Sequence, residues 1–197
     1  MNSLRLAKWL ALVILPLFSH CATLKEVAAL RRVDFSLSHL SDLNLAGISL
    51  NNVKSYQDIG LINAGRLGLA LASNELPLTF TLHVKAENPA DNPVPAKLMG
   101  LAWTLFLQDK ETISGTVDQP IVMPPGQPQD VPVVINLNLL SFFKGGLRDM
   151  VDLALSLSGQ GGASKNIRLQ VTPTINTPLG PIQYPQPITV INKQMGS

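Results

Sequence analysis

Few residues in this chain carry reactive chemistry, and their spacing limits what they can do. The three histidines, His20, His39 and His83, are the side chains that exchange a proton near neutral pH. A histidine acting as a base needs a nucleophile and an orienting partner within hydrogen-bond reach. His20 stands just before Cys21, His39 lies in a polar run, and His83 falls on the polar side of an alternating segment. His39 and His83 are therefore expected as separate, solvated surface residues. Asp149 and Asp152 are three apart on an expected helix and share a face, which reads as a solvated surface before it reads as an acid–base pair. No H-E-x-x-H, G-x-S-x-G or phosphate-loop pattern occurs. Gly159-Gln160-Gly161-Gly162 is glycine-rich, but no helix opens after it, so a turn is expected there and not a phosphate cradle. Lys97, Lys110 and Lys144 are scattered single charges. No catalytic residue, metal ligand or cofactor is expected, and the chain is not expected to be an enzyme.

The one cysteine is Cys21, which alone can form neither an internal disulfide nor a metal site. Its surroundings are informative. Met1 to Lys8 is basic, and Trp9 to Phe18 is an apolar run of ten residues. As a helix that run would span about 15 Å, half of the ~30 Å hydrocarbon layer, so it reads as a secretory signal and not a membrane span. Phe18-Ser19-His20-Cys21 resembles the bacterial lipobox, with Phe18 where Leu is usual and the bulky His20 where a small residue is preferred. The resemblance implies cleavage before Cys21 and acylation of its thiol. The plainer alternative makes Cys21 an ordinary residue near a standard signal-peptidase site. Several acyl chains, at about 0.8 kcal/mol per buried methylene, would make attachment effectively permanent. Ala22 after the cysteine is a feature of lipoproteins sorted to the outer membrane. Residues 1–20 are thus expected to be a signal peptide, 21–32 a tether and 33–197 one domain at the cell envelope, facing the periplasm.

Composition supports a folded domain. Hydrophobic residues make up 46% of the chain and charged residues 14%, against ~25% in an average globular protein, which excludes disorder. The formal charge of +2 arises in the leader: without Arg5 and Lys8, 13 basic residues face 13 acidic ones. A neutral domain with 5% aromatics offers neither the basic patch nor the stacking platform of a nucleic-acid binder.

The elements that would position any site are mostly strands. Leu76, Leu78, Phe80, Leu82, Val84 and Ala86 alternate with polar residues through Glu87, which predicts a long strand with one buried face, ended by Asn88-Pro89. Leu101, Trp103, Leu105 and Leu107 line one face of the next strand. Asp109-Lys110-Glu111 turns the chain into a partner, Ile113 to Val117. Val131, Val133, Ile135, Leu137 and Leu139 alternate again after the Pro/Gly loop Met123 to Asp130. Val33 to Leu50 reads as strand, bend, strand, and Asn166 to Pro173 pairs with Ile182 to Ile191. Ser55 to Ala72 predicts an amphipathic helix capped by Asp58, with Ile59, Ile62, Leu67 and Leu71 on the inner face. Leu140 to Leu157 predicts a helix and the start of another strand. Strands at hairpin spacing between Pro/Gly turns indicate a mainly β, antiparallel β-sandwich with one or two accessory helices.

In this order the motifs resemble the LEA-14-like, or WHy (water stress and hypersensitive response), domain. The carrying residues are Val84-Lys85-Ala86-Glu87-Asn88-Pro89, Ser114-Gly115 in the hairpin, Val131-Pro132-Val133, and Thr177-Pro178-Leu179-Gly180-Pro181-Ile182. The resemblance implies a fibronectin type III-like sandwich, often in bacteria a lipoprotein, associated with desiccation or envelope stress. A folded, charge-poor domain cannot act as a solvating polymer, so such a role requires binding an envelope protein or an apolar ligand. Low charge near a lipid anchor also offers a second reading, a periplasmic carrier or sensor for a lipid, against which the same residues simply fill the core.

Overall fold

The computed structural model describes residue 28 and residues 32–143, 145–158, 165–177 and 180–195. The expected leader, Cys21, most of the tether, Lys144, and Gly159 to Gly162 lie outside them, as do Pro178 and Leu179. The described chain is an antiparallel sandwich of two sheets. The first has the order β2-β1-β3-β8, made of β1 (Asp34–Leu45), β2 (Ile48–Ser49), β3 (Pro77–Glu87) and β8 (Gln129–Asn138). The second runs β6-β5-β9, with β5 (Gly100–Leu107), β6 (Lys110–Val117) and β9 (Lys165–Thr177). Two strands, β10 (Gly180–Gln183) and β11 (Ile188–Met195), lie end to end along the far edge of β9. Short strands β4 (Ala96–Leu98) and β7 (Ile121–Met123) pair in the connecting loops. The three long strands β1, β3 and β8, packed on β6, β5, β9 and the shared β10–β11 edge, match the fibronectin type III arrangement.

Period-two alternation builds the core as predicted. The inward residues of β3, Leu78 to Ala86, and those of β8, Val131 to Leu137, are at most 3% exposed. Facing them, Leu101, Leu105 and Leu107 of β5 are at most 2% exposed, and Trp103 is 7% exposed. At about 25 cal/mol per Å² of apolar surface, this sealed layer is the main stabilising term. Trp103 lies opposite Gly115 in the β5–β6 register, with its indole over the bare glycine backbone.

Three helices accompany the sheets among the described residues: α1 (Leu61–Ala72), the single turn α2 (Leu139–Phe142) and α3 (Leu147–Ser158). The predicted strand start within Leu140 to Leu157 is absent. Instead α2 ends at Phe142, and α3 starts at Leu147 and buries Met150, Val151, Leu153, Ala154, Leu155 and Leu157. The segment from Ser55 also differs from the single predicted helix. The Asp58 carboxylate accepts the backbone N–H groups of Lys54 and Ser55, and the Ile59 N–H returns to the Tyr56 carbonyl. These bonds close a short 3-10 turn, Tyr56–Asp58, and α1 starts afresh at Leu61 behind Gly60.

Candidate functional site

Two features stand out: a polar cluster on the outer face of the first sheet, and the outer face of α1. The cluster depends on an irregularity in β1. Leu37 pairs with Val84, His39 with His83, Ser41 with Thr81 and Asn44 with Thr79, so one extra residue enters between Leu37 and His39 and another between Ser41 and Asn44. These are β-bulges, each of which flips the side-chain parity of the strand. Ser38 and Asp42 are the extra residues, Asp42 with a φ of 55°. Between the bulges the odd-numbered positions turn outward. His39 is thereby brought beside His83.

The two imidazoles stack with centroids 4.1 Å apart and planes 6° from parallel. His83 Nδ1 lies 2.7 Å from Asp130 Oδ2 on β8, and His83 Nε2 lies 3.0 Å from Ser41 Oγ. His39 Nδ1 is 3.1 Å from Ser38 Oγ. The His83 side chain is only 20% exposed. Each was expected as a solvated surface residue; His39 is exposed, whereas His83 is largely covered, and their stacking is a contact the sequence did not reveal. Beside the cluster, Lys85 reaches Glu87 at 2.6 Å, and that hydrogen bond holds the lysine above its ordinary value.

Ser41, His83 and Asp130 have the connectivity of a hydrolytic triad, but the details oppose that chemistry. Ser41 Oγ donates its single proton to Asp42 Oδ2 at 2.7 Å, whereas an activated nucleophile must pass it to the imidazole. The neighbouring carboxylate would also repel a developing oxyanion. Parallel stacking keeps the ring nitrogens of His39 and His83 from converging on one ion, and among the described residues no group of three His, Cys, Asp or Glu side chains is placed to hold a metal. The arrangement ties three adjacent strands together through polar groups.

The remaining predicted residues do not converge. Asp149 Oδ2 accepts the Gly146 N–H at 3.1 Å and so caps α3, which is a helix-start role. Lys97 lies on β4, and Lys110 on β6 at the rim of an open cleft of about 370 Å³ beside Phe142 and Met150. Asn88, read from the sequence as a turn residue, is fully buried. Its Nδ2 donates to the Met123 and Val94 carbonyls at 2.8 and 3.2 Å, and its Oδ1 accepts from Asn92 Nδ2 at 2.6 Å.

The outer face of α1 is the second feature. Leu67 faces the core at 1% exposure, yet Leu61 is 90%, Ile62 80% and Leu69 74% exposed. Ile62 was expected inside. Gly65 and Gly68 share this outer face, and a Cβ on either would meet nothing within 4 Å. Each glycine costs ~1 kcal/mol of helix propensity relative to alanine, with no internal close approach that requires it. The outer face of α1 thus turns three large apolar side chains to water.

No protein-family model matches the chain, and no curated protein matches it. Among solved structures, a crystal structure of a protein from Archaeoglobus fulgidus aligns over 83% of this chain and 96% of its own, at 14% identity and a TM-score of 0.33. A solution structure described as that of a candidate late embryogenesis abundant (LEA) protein aligns over 97% of this chain and 89% of its own, at 16% identity and a TM-score of 0.41. The sandwich itself rests on the strand pairing described above.

Proposed function

We propose that this chain is an envelope lipoprotein, anchored by acylated Cys21, whose LEA-14-like sandwich works by binding a partner and not by catalysis. Association with desiccation or envelope stress follows from the motif resemblance. The observation that carries the binding role is the outer face of α1, where Leu61, Ile62 and Leu69 are 74–90% exposed while Leu67 on the opposite side is buried. Non-catalytic action is supported by the polar cluster, in which Asp42 competes with His83 for the Ser41 proton. The apolar-ligand carrier is less well supported: a ligand between the sheets would have to displace β3 and β8 side chains that are at most 3% exposed.

The anchor is tested by mass analysis of the mature N-terminus from the native host, with Cys21→Ala as control. Cleavage before Cys21 with the added mass of acyl chains, lost in the control, is the expected result. An uncleaved and unmodified N-terminus would overturn the assignment. Native mass spectrometry after gentle extraction tests the carrier, for which co-purified lipid is required.

A further inference from the structure

We infer that His83 is held as a doubly protonated imidazolium, and that its stack with His39 makes a proton-responsive tie between β1 and β3. The inference goes beyond the binding reading and depends neither on it nor on the state of Cys21.

The first step is a count of donors and acceptors. An ionised carboxylate only accepts, and a serine hydroxyl has one proton to give. Asp130 Oδ2, 2.7 Å from His83 Nδ1, therefore requires a hydrogen on Nδ1. Asp42 Oδ2, 2.7 Å from Ser41 Oγ, takes the one hydroxyl proton. Ser41 Oγ, 3.0 Å from His83 Nε2, then has only lone pairs to offer, so Nε2 must donate as well. Both ring nitrogens carry hydrogen, and the ring is a cation. Two carboxylates set this state, Asp130 directly and Asp42 through the Ser41 hydroxyl. The second bulge of β1 makes the relay possible. A regular strand would point the adjacent residues Ser41 and Asp42 to opposite faces, but Asp42 sits in the bulge with a φ of 55°.

The second step concerns His39. Its ring lies 4.1 Å from that of His83 and 6° from parallel. A neutral aromatic face attracts a cation laid over it. A second proton instead sets two unit charges against each other at that separation. The charged and titratable groups around the pair are Asp42 on β1, Lys85 and Glu87 on β3, and Asp130 on β8, while Asp34 of β1 adds to the field at Lys85. The carboxylates nearest the rings are already engaged. Asp42 holds the Ser41 hydroxyl, Asp130 the His83 ring, and Glu87 the Lys85 ammonium. His39 meets the Ser38 hydroxyl, 3.1 Å from its Nδ1, and is itself exposed. When His39 also charges, the rings part, His39 turns to water, and β1 loses its side-chain link to β3 between the two bulges. The tie is closed with one shared charge and open with two.

The test is a ring-nitrogen NMR titration of the full chain in detergent micelles, isotopically labelled at histidine. The sequence has three histidines, so His20→Gln, His39→Gln and His83→Gln assign every signal. At pH 7 His83 should show two protonated nitrogens and His39 one bare nitrogen, with cross-relaxation between their ring hydrogens. A bare nitrogen on His83 at that pH would overturn the inference. Asp42→Gly keeps the positive φ of the bulge and frees the Ser41 proton, so His83 should lose the hydrogen on Nε2 and keep the one on Nδ1. Ser41→Ala removes the acceptor and should do the same by a second route. A His83 that stays doubly protonated in the folded variants overturns the relay. Below about pH 5, where free imidazole is charged, the ring cross-relaxation should vanish. Exchange protection of residues 38–42, relative to intrinsic rates, should fall there by at least about fivefold, the factor that two unit charges about 4 Å apart carry even in bulk water. His39→Gln should keep its protection under the same conditions. An equal fall in that variant, or a stack that survives with both rings charged, overturns the tie.

Discussion

Replacing Gly115 with alanine places a methyl group against Trp103. A Cβ built at Gly115 lies 2.5 Å from Trp103 Cζ2 and 2.9 Å from Cε2, where ordinary contact begins at 3.4 Å. The ring cannot easily retreat, because Trp103 is 7% exposed and packed in the core cluster with Leu101 and Leu105. Overpacking of this kind costs typically 1–3 kcal/mol. The lower backbone entropy of unfolded alanine offsets about 0.5–1 kcal/mol of that. The 2.5 Å approach puts the cost in the upper part of that range, about 2–3 kcal/mol, so the expected net loss is about 1–2.5 kcal/mol, a fall in melting temperature of about 2–10 °C for a domain of this size. A Trp9→Phe background leaves Trp103 as the one tryptophan, so its fluorescence reports unfolding directly. In a Trp103→Leu background the same alanine should cost less than about 0.5 kcal/mol, because the clashing ring is gone. An unchanged or raised melting temperature in Gly115→Ala, or an equal loss in both backgrounds, would refute the packing argument.

Asn88→Asp should destabilise the domain by about 2–4 kcal/mol in urea melts at neutral pH, since a buried carboxylate would face the Met123 and Val94 carbonyls that now accept hydrogen bonds; a variant within 0.5 kcal/mol of the parent would contradict this. Gly65→Ala and Gly68→Ala should each raise the stability of the domain by up to about 1 kcal/mol, read as a shift of the urea midpoint, and a loss of stability would mean an unseen internal requirement for glycine. Acid should loosen two local links. The Ser55 hydroxyl and Lys54 N–H hold Asp58 below the ordinary value of 3.8, and Arg32 holds Asp91 below it. Because these folded values are depressed, their stabilisation is present above 3.8 and is lost as pH falls through the lower folded values. The protection of the Lys54 and Ser55 amides, relative to their intrinsic exchange, should therefore fall only below that pH, and its loss at pH 5 would contradict the assignment.

The core strands were legible because their apolar residues alternate without interruption, and period two allows one reading. Leu76 to Ala86, Leu101 to Leu107 and Val131 to Leu139 all bury the predicted side. The polar cluster was not legible in the same way. His83 and Asp130 are 47 positions apart, and only the β3–β8 register joins them. A signal for the bulges did exist: in β1 the apolar spacing lengthens from two to three at Leu37, Leu40 and Leu43. Helical periodicity defined a stripe on α1 but could not say which way it faced, since Leu67, Leu61 and Ile62 are equally apolar. Asn88 was read by its turn preference, and its burial depends on loops that arrive 6 and 35 residues later.

The two bulges of β1 cancel. Before the first and after the second, the same parity points inward, so Phe35 and Leu45 both reach the core. Because each bulge absorbs its own extra residue, removing Ser38 alone, or Asp42 alone, would straighten one bulge and keep the pairing with β3, so the inward side chains stay inward. Removing both leaves Val33, Phe35, Leu37, Leu40, Leu43 and Leu45 alternating without a break. The strand thus carries two separable insertions, and a shortened protein lacking both would keep its interior and its paired histidines while giving up the Ser38 and Asp42 hydrogen bonds of the cluster.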